Sequence, residues 1–197
     1  RLILADYLEK IHGMTTDALA ARVRAIYREL SAISPMNPGT DQRIRPIVCV
    51  DAIGIGAGVF DMLKAWQVNV REVIVSEIAP DTSPRCFRFR DWLYWQVREL
   101  FNPENESGAL IVYKNVNKRA MVDQLIVECG DLRFTYTPTE AVMVESKISY
   151  RRRNSGESCN FADALALTFA KSAKLRNKPT AGRRARLRRP TAVGWVV

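Results

Sequence analysis

A short apolar run that ends in an acid and turns at once through glycines constrains this chain more than any other feature. Ile47-Val48-Cys49-Val50-Asp51 is followed by Ala52-Ile53-Gly54-Ile55-Gly56-Ala57-Gly58-Val59. Four apolar residues behind Pro46 read as a strand, 47–50, buried on both faces. Asp51 stands at its C-terminal end, where parallel sheets usually place their chemistry. The glycines let the backbone turn tightly beside that carboxylate. Val59, Met62, Leu63 and Trp66 then recur at helical spacing, with Lys64 and Gln67 off the stripe.

Two plainer readings compete at this turn. Asp51 can simply accept hydrogen bonds from the turn, as many aspartates do. A dinucleotide site is the other. It needs G-x-G-x-x-G, and the third glycine position is filled by Val59. Its acid should also follow the glycines by about 20 residues, whereas Asp51 precedes them; Glu77, after the run Val73-Ile74-Val75, is the nearest match.

The rest of the chain alternates strand-like and helix-like stretches. Residues 2–8 read as a strand. A helix starts after the cap Thr15-Thr16-Asp17, with Leu19, Val23, Ile26, Tyr27 and Leu30 on one face. Strand 73–75, helix 87–101, a turn over 105–108 and helix 118–129, closed by Gly130, come next. Strands 132–136 and 141–145 meet around Pro138, a basic loop covers 151–156, and helix 161–173 closes the body. This alternation predicts an α/β domain with a mixed sheet.

With 197 residues and 47% apolar content, one domain with a full core is expected, with chain to spare for an appendage. No apolar run reaches the ~18 residues of a membrane helix, and the N-terminus is no signal peptide. The chain starts at Arg1 inside an apolar run, which reads as a piece cut from a longer protein. Cys49, Cys86, Cys129 and Cys159 are scattered and His12 is the only histidine, which argues against zinc and fits the reduced thiols of a cytoplasm. Of the 30 basic residues, nine lie between Lys171 and Arg189, and no acid follows Asp163. The others match the 21 acidic residues, so the net charge of +9 belongs to the tail. Such a tail favours phosphate backbones through counterion release.

Asp163 is the second acid of interest. With Asn160 as N-cap it would be the third helical residue, where the helix dipole favours an acid for structural reasons alone. Ala162, Ala166 and Ala170 frame it, leaving room for a metal ion or close substrate approach. Neither Asp51 nor Asp163 has an obvious basic partner in sequence. Converging, the two would suit Mg²⁺ or Mn²⁺. Two such ions about 3.5–4 Å apart activate water and stabilise the leaving oxygen in phosphodiester hydrolysis, although two carboxylates are few for that task.

Four motifs follow one another in order: Val50-Asp51-x-x-Gly54-x-Gly56-x-Gly58-Val59, Arg90-Asp91-Trp92-Leu93-Tyr94-Trp95-x-x-Arg98-Glu99, Glu145-Ser146-Lys147-x-x-x-Arg151-Arg152, and Asn160-x-Ala162-Asp163-Ala164-Leu165-x-Leu167-Thr168-Phe169. Over residues 2–171 this resembles the nuclease domain of the large terminase subunit of tailed bacteriophages. The resemblance implies an RNase H-like mixed β-sheet flanked by helices, and a metal-dependent endonuclease that cuts concatemeric phage DNA during packaging. It implies three acids and two Mg²⁺ or Mn²⁺ ions, with Asp51 as the second acid and Asp163 as the third. Lys147, Arg151, Arg152 and Arg153 become candidate DNA phosphate contacts, against the plainer reading of a solvated basic loop. Asp6 does not sit in the family's first-acid segment, so the first strand and its acid are expected upstream of Arg1, and this stretch is expected to lack one carboxylate. The ATPase half is expected upstream too, since G-x-x-x-x-G-K-[S/T] is absent.

The implied division is a nuclease domain over 1–173 and a basic tail over 174–197. Implied partners are double-stranded DNA, the portal protein, associated with the region after the nuclease domain, and the small terminase subunit, in the cytoplasm of a bacterial host. A non-catalytic RNase H-like nucleic-acid-binding module and a nucleotide-binding α/β protein are the alternatives.

Overall fold

The computed structural model describes residues 2–5, 8–82, 84–102, 104, 109–112 and 119–172, of which 2–5, 109–112, 171 and 172 are described for the backbone alone. In chain order the elements are β1 (Leu2–Ala5), α1 (Thr16–Ile33), β2 (Val48–Asp51), α2 (Ile55–Ala65), β3 (Val70–Val73), α3 (Phe89–Phe101), β4 (Ala109–Val112), α4 (Arg119–Asp131), β5 (Phe134–Tyr136), β6 (Val142–Val144), α5 (Lys147–Arg153) and α6 (Asn160–Thr168). A 3₁₀ turn, Phe169–Ser172, follows. The turn expected over 105–108, Asp6 and the tail 174–197 lie outside the described residues.

The chain divides into two compact units. One is Lys10–Ile74; the other joins Arg1–Glu9 to the chain from Val75 onward.

In the Lys10–Ile74 unit, β2 and β3 pair in parallel, with Asp51 opposite Val73. Helix α2 connects them, as a parallel pair requires. Its Val59 and Leu63 form a core with Ala20 of α1 and Val68, against which Leu19, Val23, Tyr27, Val48 and Val50 pack. The stripes at helical spacing in α1 and α2 therefore face each other. β2 is half-buried along its length rather than fully buried. Val48 and Val50 face the core, and strand alternation turns Cys49 and Asp51 to the other face. β3 starts three residues before the expected 73–75.

In the second unit, β1 pairs in parallel with β4 and β5 pairs antiparallel with β6, so strand pairing is mixed. A parallel bridge sets Cys86 beside Val142. Helix α3 packs on α6 and β6, and α4 packs on α6. Phe89, Leu93, Leu125 and Val142 are among its fully buried side chains. The carbonyls of Val75 and Glu77 accept the N–H groups of Arg90 and Phe89 at 2.9 and 2.7 Å. That stretch therefore seats the first turn of α3 instead of extending a strand. Gly130 lies inside α4, not after it. The expected basic loop is helical over 147–153, because Ser146 caps it: its Oγ accepts from Ser149 N–H at 3.1 Å.

Candidate functional site

Asp163 is best understood from the start of α6. The helix begins at Asn160 with Cys159 as N-cap, so Asp163 is one residue deeper than the sequence suggested. The first N–H groups of a helix need acceptors. Here they come from another helix. Glu128 of α4 accepts from Phe161 N–H at 2.7 Å and Ala162 N–H at 2.9 Å, both through Oε2, while Gln124 donates to Oε1 at 3.0 Å. Glu128 is 3% exposed. Burial pushes its carboxyl above the usual range, against the pull of those hydrogen bonds.

Asp163 is thereby released from capping, and its carboxylate meets other groups. The buried Tyr94 hydroxyl of α3 donates to Oδ1. The Lys147 ammonium lies 2.6 Å from Oδ2, with the two side chains 45% and 19% exposed. Cys159 Sγ is 4.0 Å from the same oxygen. Burial and the Asp163 charge push the Tyr94 phenol well up and raise the Cys159 thiol, so both stay protonated. The Arg90 guanidinium lies 4.7 Å from the Tyr94 ring centre and donates to the Glu145 carbonyl at 2.8 Å. Ala162, Ala166 and Ala170 are buried against the body, and the acid stands at the partly open edge.

Lys147, at the first position of α5, is thus brought to Asp163 by the fold: the acid has a basic partner after all. Arg151 and Arg152, in the last turn of α5, are exposed. Arg153 is turned inward. Its Nη1 meets Asp131 Oδ1 at 2.5 Å and its Nη2 meets Glu145 Oε1 at 2.6 Å. Asn154 also donates to Asp131, at 2.7 Å. Both terminal nitrogens of Arg153 face carboxylates, so this side chain ties α4, β6 and α5 together instead of standing free for a phosphate.

Asp51 ends β2 in the Lys10–Ile74 unit, half-buried, with Ile53 N–H 3.4 Å from Oδ1. That long bond keeps part of the turn-acceptor reading. Gly54 has φ +69°, a backbone that favours glycine, and caps α2. A Cβ added to Gly56 would overlap the Asp51 carbonyl oxygen, so glycine lets α2 start hard against the strand end.

Glu128, Tyr94 and the buried Asp91 were not recognised from the sequence as site-building residues. For Glu128 a signal existed. Val122, Leu125 and Glu128 recur at helical spacing, and an acid on an otherwise buried stripe must find donors. Gln124 lies one turn away, but its two backbone donors, Phe161 and Ala162, lie more than 30 residues away, where periodicity carries no information.

Among the described residues, no group of three or more His, Cys, Asp or Glu side chains could hold a metal ion. Asp163 fits as a single hard oxygen ligand: it is partly open and already draws a cation to Oδ2.

No family profile matches this chain, and no curated protein matches it. Solved structures do. A lysine-to-alanine variant of the nuclease domain of the large terminase subunit gp2 of bacterial virus Sf6, with manganese, matches with a TM-score of 0.56 at 15% identity, covering 78% of this chain and 73% of that one. The same domain with manganese and beta-thujaplicinol gives 0.57 at 14% identity, over 79% and 73%. The corresponding gp2c variant with calcium gives 0.55 at 15% identity, over 78% and 72%. The fold of this chain is therefore the RNase H-like α/β fold of those nuclease domains.

Proposed function

We propose that this protein is the nuclease part of a viral DNA-packaging enzyme, a metal-dependent endonuclease that cuts concatemeric double-stranded DNA. The observation that carries this reading is Asp163: an acid relieved of helix capping by Glu128, partly open, and set between Tyr94 and Lys147. The similar nuclease domains hold manganese or calcium, which supports a divalent cation as the partner of that acid. Asp163 is the proposed ligand in its unit, and Asp51 is proposed as a second metal-binding acid on its own evidence, the strand-end position beside the glycine turn. Bound Mg²⁺ or Mn²⁺, two ions in the full reading, would supply an activated water and charge stabilisation at the leaving oxygen.

The chain's own residues do the rest. Tyr94 holds the Asp163 carboxylate through Oδ1. Lys147, Arg151 and Arg152 neutralise DNA phosphates, which positions the strand without reading its sequence. The basic tail, 174–197, is proposed to add backbone contacts and, through the apolar Val193–Val197 end, to dock on the portal or small terminase subunit. An ATPase domain upstream in a longer chain and the cytoplasm of a bacterial host complete the proposal. Among the described residues no helix is long and apolar enough to cross a membrane.

The test uses Asp163→Asn in the whole chain. Mn²⁺ binding by calorimetry and nicking of supercoiled plasmid should both fall by more than about 100-fold, with the thermal transition kept. Unchanged nicking would remove Asp163 from the site. One observation favours a second reading, a nucleic-acid-binding module without catalysis: Lys147 already neutralises the carboxylate. On that reading Asp163→Asn leaves metal-independent DNA binding intact, and no condition yields nicking.

A further inference from the structure

A cavity of about 520 Å³ opens in the second unit, among α3, α4 and the β5–β6 hairpin. Trp95, Ile126, Cys129, Phe134, Val142 and Val144 are among the residues that line it. That volume falls within the range of sites that enclose a small organic ligand, roughly 300–1,000 Å³. Burial pushes the Cys129 thiol up to about 12, so it is a protonated, apolar wall group. The strongly polar groups are few, and the charged ones share one sign: Arg98 and Arg133. Arg98 lies 4.5 Å from the Trp95 ring centre and 5.9 Å from that of Phe134, and meets Glu99 in an exposed pair at 3.1 Å. Arg133 is exposed; its backbone N–H is given to Glu145, and its charge helps to hold the Asp131 carboxyl below its usual range. The neighbouring acid, Asp131, is already bound by Arg153 and Asn154.

We propose that this cavity is a binding site for a small amphipathic anion, an aromatic or branched apolar body carrying a carboxylate, sulfonate or phosphate. The apolar wall takes the body, and Arg98 and Arg133 take the charge. A stacked nucleobase fits less well, because the Arg98 guanidinium lies over both Trp95 and Phe134. The site is distinct from the Asp163 edge but shares Tyr94 with it: this residue lines the cavity, and its hydroxyl holds Asp163.

The probe is anilinonaphthalene sulfonate, titrated into the whole protein by fluorescence and calorimetry, beside its uncharged analogue phenylnaphthylamine. A single saturable site is expected for each. Arg133→Glu should weaken the sulfonate about tenfold and leave the uncharged probe within about twofold. Val144→Phe, which fills the cavity, should weaken both while circular dichroism is unchanged. If Val144→Phe fails to fold, the contrast between the two probes in Arg133→Glu still decides. Parent-like binding of the sulfonate in Arg133→Glu, non-saturable binding, or displacement of the probe by single-stranded oligothymidine would overturn the proposal.

Discussion

At Asp91, burial and hydrogen bonding pull the carboxyl in opposite directions. The side chain is 3% exposed and accepts from Arg88 N–H at 2.8 Å and Val144 N–H at 2.9 Å, which joins the start of α3 to β6. Burial wins, and the carboxyl sits above its usual range. The folded protein therefore holds this proton more tightly than the unfolded chain. Stability should fall as pH rises from the ordinary aspartate range toward the raised folded value. Asp91→Asn should flatten that part of the slope and cost about 1–3 kcal/mol, since an amide cannot accept from both N–H groups as a carboxylate does. Urea unfolding of the two proteins across the acidic range reads both effects. A slope unchanged by the substitution would mean that burial does not dominate at this carboxyl.

Helix α5 divides its charges between ion pairs within the fold and solvent. Three successive arginines in a last turn all favour the helix dipole. The turn of the helix then separates them, with Arg153 facing Asp131 and Glu145 and Arg151 and Arg152 facing solvent. Arg153→Ala should destabilise the protein by about 2–4 kcal/mol, because it leaves two partly buried carboxylates without their shared cation. Arg151→Ala and Arg152→Ala should stay within about 0.5 kcal/mol of the parent and instead weaken DNA binding. Chemical denaturation and filter binding on the same three variants separate the roles. Equal loss of DNA affinity in all three with no change in stability would contradict the division.

For the whole molecule, the distribution of charge bears on the proposed binding of DNA. The excess of +9 resides in the stretch from Lys171 to Arg189, with no acid after Asp163. Deleting 174–197 should weaken non-specific DNA binding and flatten its salt dependence, by about 0.9 in the log–log slope for each phosphate that the tail neutralises. Nicking at low salt should persist, since neither Asp51 nor Asp163 is in the tail. Binding isotherms at several salt concentrations, with and without the tail, test this; identical slopes would show that the tail does not touch the backbone.

The sequence by itself determined the α/β class and most of the elements in their order, but not strand β4, helix α5 or the division of the described strands into three two-stranded pairings. The class and those elements follow from periodicity and turn chemistry, which are local: the stripe of α1, the strand-end position of Asp51, the glycines against it and the hairpin around Pro138 were all legible. Element ends were less so. Residues 75–77 depend on which distant N–H groups they accept, and that is not written in the local pattern, whereas the Ser146 cap that starts helix 147–153 is local. The candidate site shows the same divide. Asp163 could be singled out from its alanine frame. Only the tertiary structure decided that Glu128 caps its helix, that Tyr94 and Lys147 meet its carboxylate, and that Arg153 turns inward. Those pairings join residues 8 to 69 positions apart, and a chain selects such partners only when packing removes the competing water.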